Sequence, residues 1–296
     1  MTANGRAFCT VCLSVFTPMG ESLACESCGS LQRHRLMLLM LIAQIESLST
    51  GRSVLDFSPL PPMAAATREI AGRRYVSFDL DPTSRVSIVA DLCQLPIADE
   101  SSDVIHCSHV LEHVVDDAAA MTELRRVLAP GGEVLIQVPR RKGAMTEEAV
   151  GAAPEELLRR FGQEDHVRLY GEDFEERLEA AGFRVHTSSY RSLLPEPALD
   201  LIGIHADHEL WIAGTDPGRS PAIAPDSLMR VLADRMLKSQ ALLEEKLGEA
   251  IDNLESARRQ AEEWRSHYEW LASNPVIRLG RRVKRLAQLG RRQHSS

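Results

Sequence analysis

Between Ser53 and Thr215, seven short β-type runs alternate with helical stretches, and that alternation admits few folds. The runs are Val54 to Phe57, Arg74 to Phe78, Ser87 to Ala90, Val104 to Cys107, Glu133 to Val138, Phe183 to Ser188 and Glu209 to Ala213. Pro62 to Ala71, Asp116 to Leu128 and Asp173 to Ala181 read as helices between them, and two of these end at Gly72 and Gly182. Strands joined through helices run parallel, so the expected class is α/β, with a seven-stranded sheet flanked by helices.

Ahead of this region stand Cys9-Thr10-Val11-Cys12 and Cys25-Glu26-Ser27-Cys28. Two Cys-x-x-Cys turns can present four thiolates to one tetrahedral ion, which predicts a structural zinc ribbon over residues 1–30 with Cys9, Cys12, Cys25 and Cys28 as ligands. Four sulfurs close the shell, whereas a catalytic zinc keeps a position open. So small a segment has little core of its own, and metal binding would supply most of its stability. Cys93 and Cys107 stand apart and read as small buried apolar residues. Residues 31–52 follow as a linking helix, with Leu36, Leu39, Met40 and Ala43 at helical spacing; the basic cluster Arg33-His34-Arg35 at its start reads equally as a contact for a substrate phosphate or carboxylate and as a cap that solvates the helix end.

Beyond residues 53–215, a linker over 216–225 leads into a 3-4 repeat over 226–272. Met229, Met236, Leu243 and Trp264 mark one seam position, and Ala233, Leu247, Leu254 and Tyr268 the other. This predicts a coiled coil and a homo-oligomer. The formal net charge is −8, yet after Glu269 there are seven Arg or Lys and no acid, which leaves the preceding part near −15. So acidic a body disfavours nucleic acid, while the basic amphipathic tail over 273–296 suits an anionic membrane surface. No apolar leader or span is visible, so a cytoplasmic location is expected, with peripheral contact at the inner membrane face.

Three acids close the first three strands at Asp56, Asp79 and Asp91. The fourth strand runs into Ser108-His109-Val110-Leu111-Glu112-His113, and the fifth follows Arg126-Val127-Leu128-Ala129-Pro130-Gly131-Gly132. In that order the segments resemble the class I S-adenosylmethionine-dependent methyltransferases, specifically the group with a Leu-Glu-His segment and an Arg-Val-Leu-x-Pro-Gly-Gly turn. The presence of the four-cysteine element and Arg-His-Arg is similar to a bacterial subgroup of them. The resemblance implies a Rossmann-like sheet and S-adenosyl-L-methionine as cofactor. It places Asp56, Phe57 and Ser58 at the methionyl end, Asp79 and Leu80 at the ribose, Asp91 and Leu92 at adenine, and Ser108 near the methyl. One departure is plain: the usual Gly-x-Gly after the first strand is replaced by Ser58-Pro59-Leu60-Pro61-Pro62.

Methyl transfer to a hydroxyl needs a proton acceptor beside the methyl, and His109 is the candidate for it. Asp165, His166, Arg168 and Tyr170, with Arg140 after the fifth strand, are expected to bind a polar acceptor. The expected reaction is O-methylation of a glycan, glycolipid or other small polar acceptor. Two rival readings are a zinc-knuckle RNA methyltransferase and a catalytically dead scaffold built on the same fold.

Overall fold

The computed structural model describes residues 5–18, 23–46, 53–205, 207–216 and 222–273. In chain order its elements are β1 Ala7–Phe8, β2 Val15–Phe16, α1 Gln32–Glu46, β3 Val54–Phe57, α2 Pro61–Ala71, β4 Tyr75–Asp79, β5 Ile88–Val89 and β6 Ser102–Ser108. Next come α3 Asp117–Val127, β7 Leu128–Gln137, β8 Glu147–Glu148, α4 Pro154–Phe161, β9 Arg168–Leu169, α5 Phe174–Ala180 and β10 Arg184–Ser189. The chain then forms α6 Tyr190–Leu193, α7 Glu196–Leu201, β11 Glu209–Gly214 and α8 Pro225–Ser273. Two compact units result, residues 1–237 and 238–296.

Seven strands form one Rossmann-like sheet in the order β10-β11-β7-β6-β3-β4-β5. Neighbours from β7 to β5 are parallel, whereas β11 and β10 add antiparallel. From β3 the chain moves outward through β4 and β5, then returns to the other side of β3 with β6. That reversal opens a crevice at the carboxyl ends of β3 and β6, where ligands of such sheets bind.

Strand residues alternate between two cores, as the period of two demands. Leu55, Phe57, Ile105, Ile136 and Trp211 pack with α3 and α5, whereas Val54, Val104, Leu135 and Ile212 pack with α1, α2 and α7. Helix α1 departs from the expected amphipathic link. Ten consecutive residues, Arg35 to Gln44, are buried, because the cysteine segment, α7 and the start of α8 join the same core. A helix enclosed all round is a core element.

The joint between the cysteine segment and the body is tight at Gly203, whose φ is +66°. A Cβ there would stand 2.9 Å from the Ala7 Cβ and 3.3 Å from the Phe16 ring. Gly203→Ala is therefore expected to cost about 2 kcal/mol or more, from left-handed strain plus overpacking, read as a lower urea midpoint.

The second unit is described as the rest of α8 through Ser273. Its seam residues Leu243, Leu247, Leu254 and Trp264 are exposed. The tail over 274–296, including the basic face expected to meet a membrane, lies outside the described residues. No helix among the described residues is long and apolar enough to cross a membrane.

Candidate functional site

A cavity of about 780 Å³ opens at the carboxyl ends of β3 and β4. Phe57 and Phe78 stack on its floor with ring centroids 5.3 Å apart. Ser58, Asp79, Leu80, Asp91 and Leu92 line it beside them. The Asp79 carboxylate is braced within its turn, accepting from the Asp81 N–H at 2.9 Å and the Ser84 hydroxyl at 3.0 Å. Asp91 Oδ1 accepts from the Cys93 N–H at 2.8 Å. On the same walls Leu80 and Val115 leave 69% and 64% of their surface exposed, apolar area that a planar base would cover. Braced carboxylates, an aromatic floor and apolar rims fit S-adenosylmethionine.

The proline-filled loop is compatible with that fit. Pro61 and Pro62 open helix α2, where the first N–H groups lack intrahelical partners in any case. Ser58 takes the left-handed conformation, φ +47°, that glycine would supply, and its N–H donates to Phe78 O at 2.7 Å.

Asp56 and Ser108 do not line this cavity, contrary to expectation. Asp56 sits one residue from Phe57 and so points to the opposite face of the sheet. There it is fully buried, accepting from the Tyr75 hydroxyl at 2.8 Å and meeting His106 Nδ1 at 2.7 Å. Burial, and then Asp56, raise the pKa of the Tyr75 phenol, which stays a donor. Ser108 is the last residue of β6, in register with Gln137.

His109 follows immediately, held at φ +56° by its N–H bond to Gln137 O at 2.7 Å. Its Nδ1 stands 3.1 Å from Oε1 of Glu112, a fully buried carboxylate in the short helical turn Leu111–His113. His109 belongs to the wall of the first cavity and to that of a second, of about 510 Å³. The second is bounded by Arg33, Arg140, Lys142, Tyr190, His208 and Glu209, among others. Arg140 and Lys142 each pair with Glu209 at 3.1 Å.

The three residues of Arg33-His34-Arg35 have three separate fates. Arg33 enters the second cavity. Burial first, then the Arg33 charge, push His34 down to about 3, so its ring is neutral and accepts from the Leu31 N–H at 3.0 Å. Arg35 is fully buried and donates to the carbonyls of Leu23, Ser30, Ile202 and Gly203.

Two expected acceptor ligands are structural instead. Arg168 is 1% exposed and spends its guanidinium on the carbonyls of Leu111, Val114 and Val115. Tyr170 is fully buried, donating to Asp117 Oδ2 at 2.9 Å. Both stand in or beside the antiparallel β8–β9 pair, which the alternation of strands and helices left unseen, and its packing under the Leu111–His113 turn buries them. Asp165 lines the first cavity and lies 3.1 Å from His113, while His166 is buried against the His113 ring. Of the expected acceptor residues, Arg140 alone bounds the second cavity among the described residues. Tyr190 and His208 were not foreseen there, since their sequence neighbourhoods carry no shared motif.

The four cysteines converge as the spacing predicts. Cys9 and Cys28 sulfurs are 3.7 Å apart, and those of Cys12 and Cys25 3.8 Å. Thiolates at about 2.3 Å from one tetrahedral zinc stand about 3.8 Å apart, so the donor set and its spacing fit that ion.

A family of methyltransferase domains matches residues 43–136. The probable S-adenosylmethionine-dependent methyltransferase of Mycolicibacterium smegmatis is 28% identical over 203 residues, covering 65% of this chain and 69% of its own. An uncharacterized methyltransferase of Mycobacterium sp. is 35% identical over 100 residues, 30% of this chain and 40% of that one. Among solved structures, an S-adenosylmethionine-dependent methyltransferase from Mesorhizobium loti overlaps 60% of this chain and 95% of its own, at 16% identity and a TM-score of 0.42. Haemonchus contortus phosphoethanolamine N-methyltransferase 2 overlaps 60% and 52%, at 18% identity and 0.42.

Proposed function

We propose that the chain, a class I S-adenosylmethionine-dependent methyltransferase on the evidence of its domain match and relatives, methylates a hydroxyl of a small polar acceptor of the glycan or glycolipid class. The observation that carries this reading is the position of His109 in the wall of both cavities. A methyl donor in one cavity and a hydroxyl in the other meet at that imidazole.

Asp79 would hold the cofactor's ribose, with Phe57, Ser58, Leu80, Asp91 and Leu92 around it, and the bound cofactor supplies an electrophilic methyl group. When His109 Nδ1 donates to Glu112, Nε2 is left as the acceptor for the hydroxyl proton. Glu112 fixes the ring as a buried carboxylate does in any base-orienter pair. Arg33, with Arg140 and Lys142 paired to Glu209, gives the acceptor cavity a charged rim of both signs that suits a polar, hydroxyl-bearing acceptor. Four thiolates from Cys9, Cys12, Cys25 and Cys28 hold a structural zinc, and the exposed seam of α8 pairs copies of the chain into a homo-oligomer.

Mass spectrometry after incubation with S-adenosylmethionine and a panel of oligosaccharides and glycolipids tests this. Transfer to oxygen supports the reading, whereas transfer only to a base of RNA, or no cofactor binding by calorimetry, sinks it. Asp79→Ala is expected to weaken cofactor binding about 10-fold or more, the worth of one charge-assisted hydrogen-bonding group.

A further inference from the structure

Glu112, His113 and His166 each offer one ligand atom, and these atoms lie within 4.8 Å of one another. Two distant stretches supply them: the turn Leu111–His113 after β6, and the residues just ahead of β9. A backbone bond from the Val167 N–H to Glu112 O, at 2.9 Å, clamps one stretch on the other.

The cluster holds polar atoms without partners among the described residues. Glu112 is fully buried; Oε1 meets His109, and Oε2 has no hydrogen-bond partner among those residues. His166 is 3% exposed, and its buried Nδ1 likewise has none among them. A buried polar atom left unsatisfied carries its full desolvation cost. A cation between them removes both costs together. The His113 and His166 rings meet edge to face with centroids 4.6 Å apart. Asp165 Oδ2 stands 3.1 Å from His113 Nδ1, the carboxylate brace common behind a ligating imidazole, and leaves the other ring nitrogen to ligate.

We propose that Glu112, His113 and His166 bind a divalent first-row transition-metal cation, at a site separate from the four thiols. Two imidazoles and one carboxylate form an N,N,O set that suits Zn2+, Fe2+ or Co2+. Three protein ligands leave coordination positions open, unlike the closed shell of the cysteines. Because Glu112 also carries His109, a cation on Oε2 pins the carboxylate that orients that ring. The site does not depend on which acceptor is methylated, since its readout is metal uptake.

The test uses the full chain with its thiol site filled by one equivalent of zinc, titrated with Co2+ by calorimetry and visible spectroscopy. The expected result is one further equivalent, with d–d absorption and no thiolate-to-cobalt charge-transfer band. His166→Ala is expected to weaken that uptake 10-fold or more while the zinc content stays at one. His113→Ala, at a ring one-third exposed, is expected to do the same and serves if His166→Ala fails to fold. Absence of a second equivalent in the native chain overturns the proposal, as does unchanged uptake by a folded variant, which would leave the cluster a hydrogen-bond network around Glu112.

Discussion

Cys25→Ser is expected to lower the stability of the whole first unit by about 3 kcal/mol or more, and its melting temperature by about 6 °C or more. An isolated ribbon would unfold alone and leave the rest unchanged. Here Ala7, Phe8, Val11 and Phe16 belong to the same core as α1, α7 and the start of α8. Arg35 and Arg235 bind that segment to the body through buried guanidinium groups. Arg235 donates to Thr10 O at 2.6 Å and to Val11 O at 3.0 Å, and the Thr10 hydroxyl returns a bond to Arg35 O at 2.7 Å. Burial lowers the Arg35 pKa while the neighbouring thiols oppose it, so charge on the sulfurs helps keep the guanidinium ionised. Loss of the ion would strand two buried arginines without their carbonyls, a larger cost than that of opening a loop. Thermal melts of the native and Cys25→Ser chains, with and without chelator, check this. A melt that splits in two, with the main transition unmoved, would show the cysteine segment to be independent of the body.

Legibility differed between the sheet and its surroundings for physical reasons. The seven strands stand out because each is a short run of β-formers closed by turn residues, and all seven lie within two or three residues of their expected bounds except β7. That strand runs back through Pro130, Gly131 and Gly132, which turn chemistry alone assigns to a loop. Phe57, Ser58, Asp79 and Asp91, the residues expected at the cofactor, come together at one cavity because they close or follow strands. Asp56 lies off that cavity for a reason one further step would have given: Phe57 lines the cavity, so its neighbour in the strand faces away. Helix α1 hides its enclosure because its apolar spacing reads like a one-sided face, and what covers the other side comes from residues before it and near 230. The buried roles of Arg168 and Tyr170 depend on a pair of two-residue strands, too short to leave a periodic pattern.

His109→Ala is expected to reduce turnover about 10²–10⁴-fold, the usual worth of a positioned general base, with cofactor affinity altered only slightly. The asymmetry follows from where the ring is anchored. Its main chain is fixed by Gln137 O and its Nδ1 by Glu112, and it borders the second cavity as well as the first, while the proposed grip on the cofactor rests on Asp79, Asp91 and the Phe57–Phe78 floor. The left-handed backbone at His109, φ +56°, is one that histidine adopts more readily than most side chains. His109→Asn tolerates that conformation and separates strain from chemistry: it should restore stability relative to alanine yet stay inactive, since an amide does not accept a proton near neutral pH. Single-turnover rates beside calorimetric cofactor affinities measure both quantities. Full activity in the asparagine variant would remove His109 as the base and shift the proton acceptor to another residue of the second cavity, with His208 next in line.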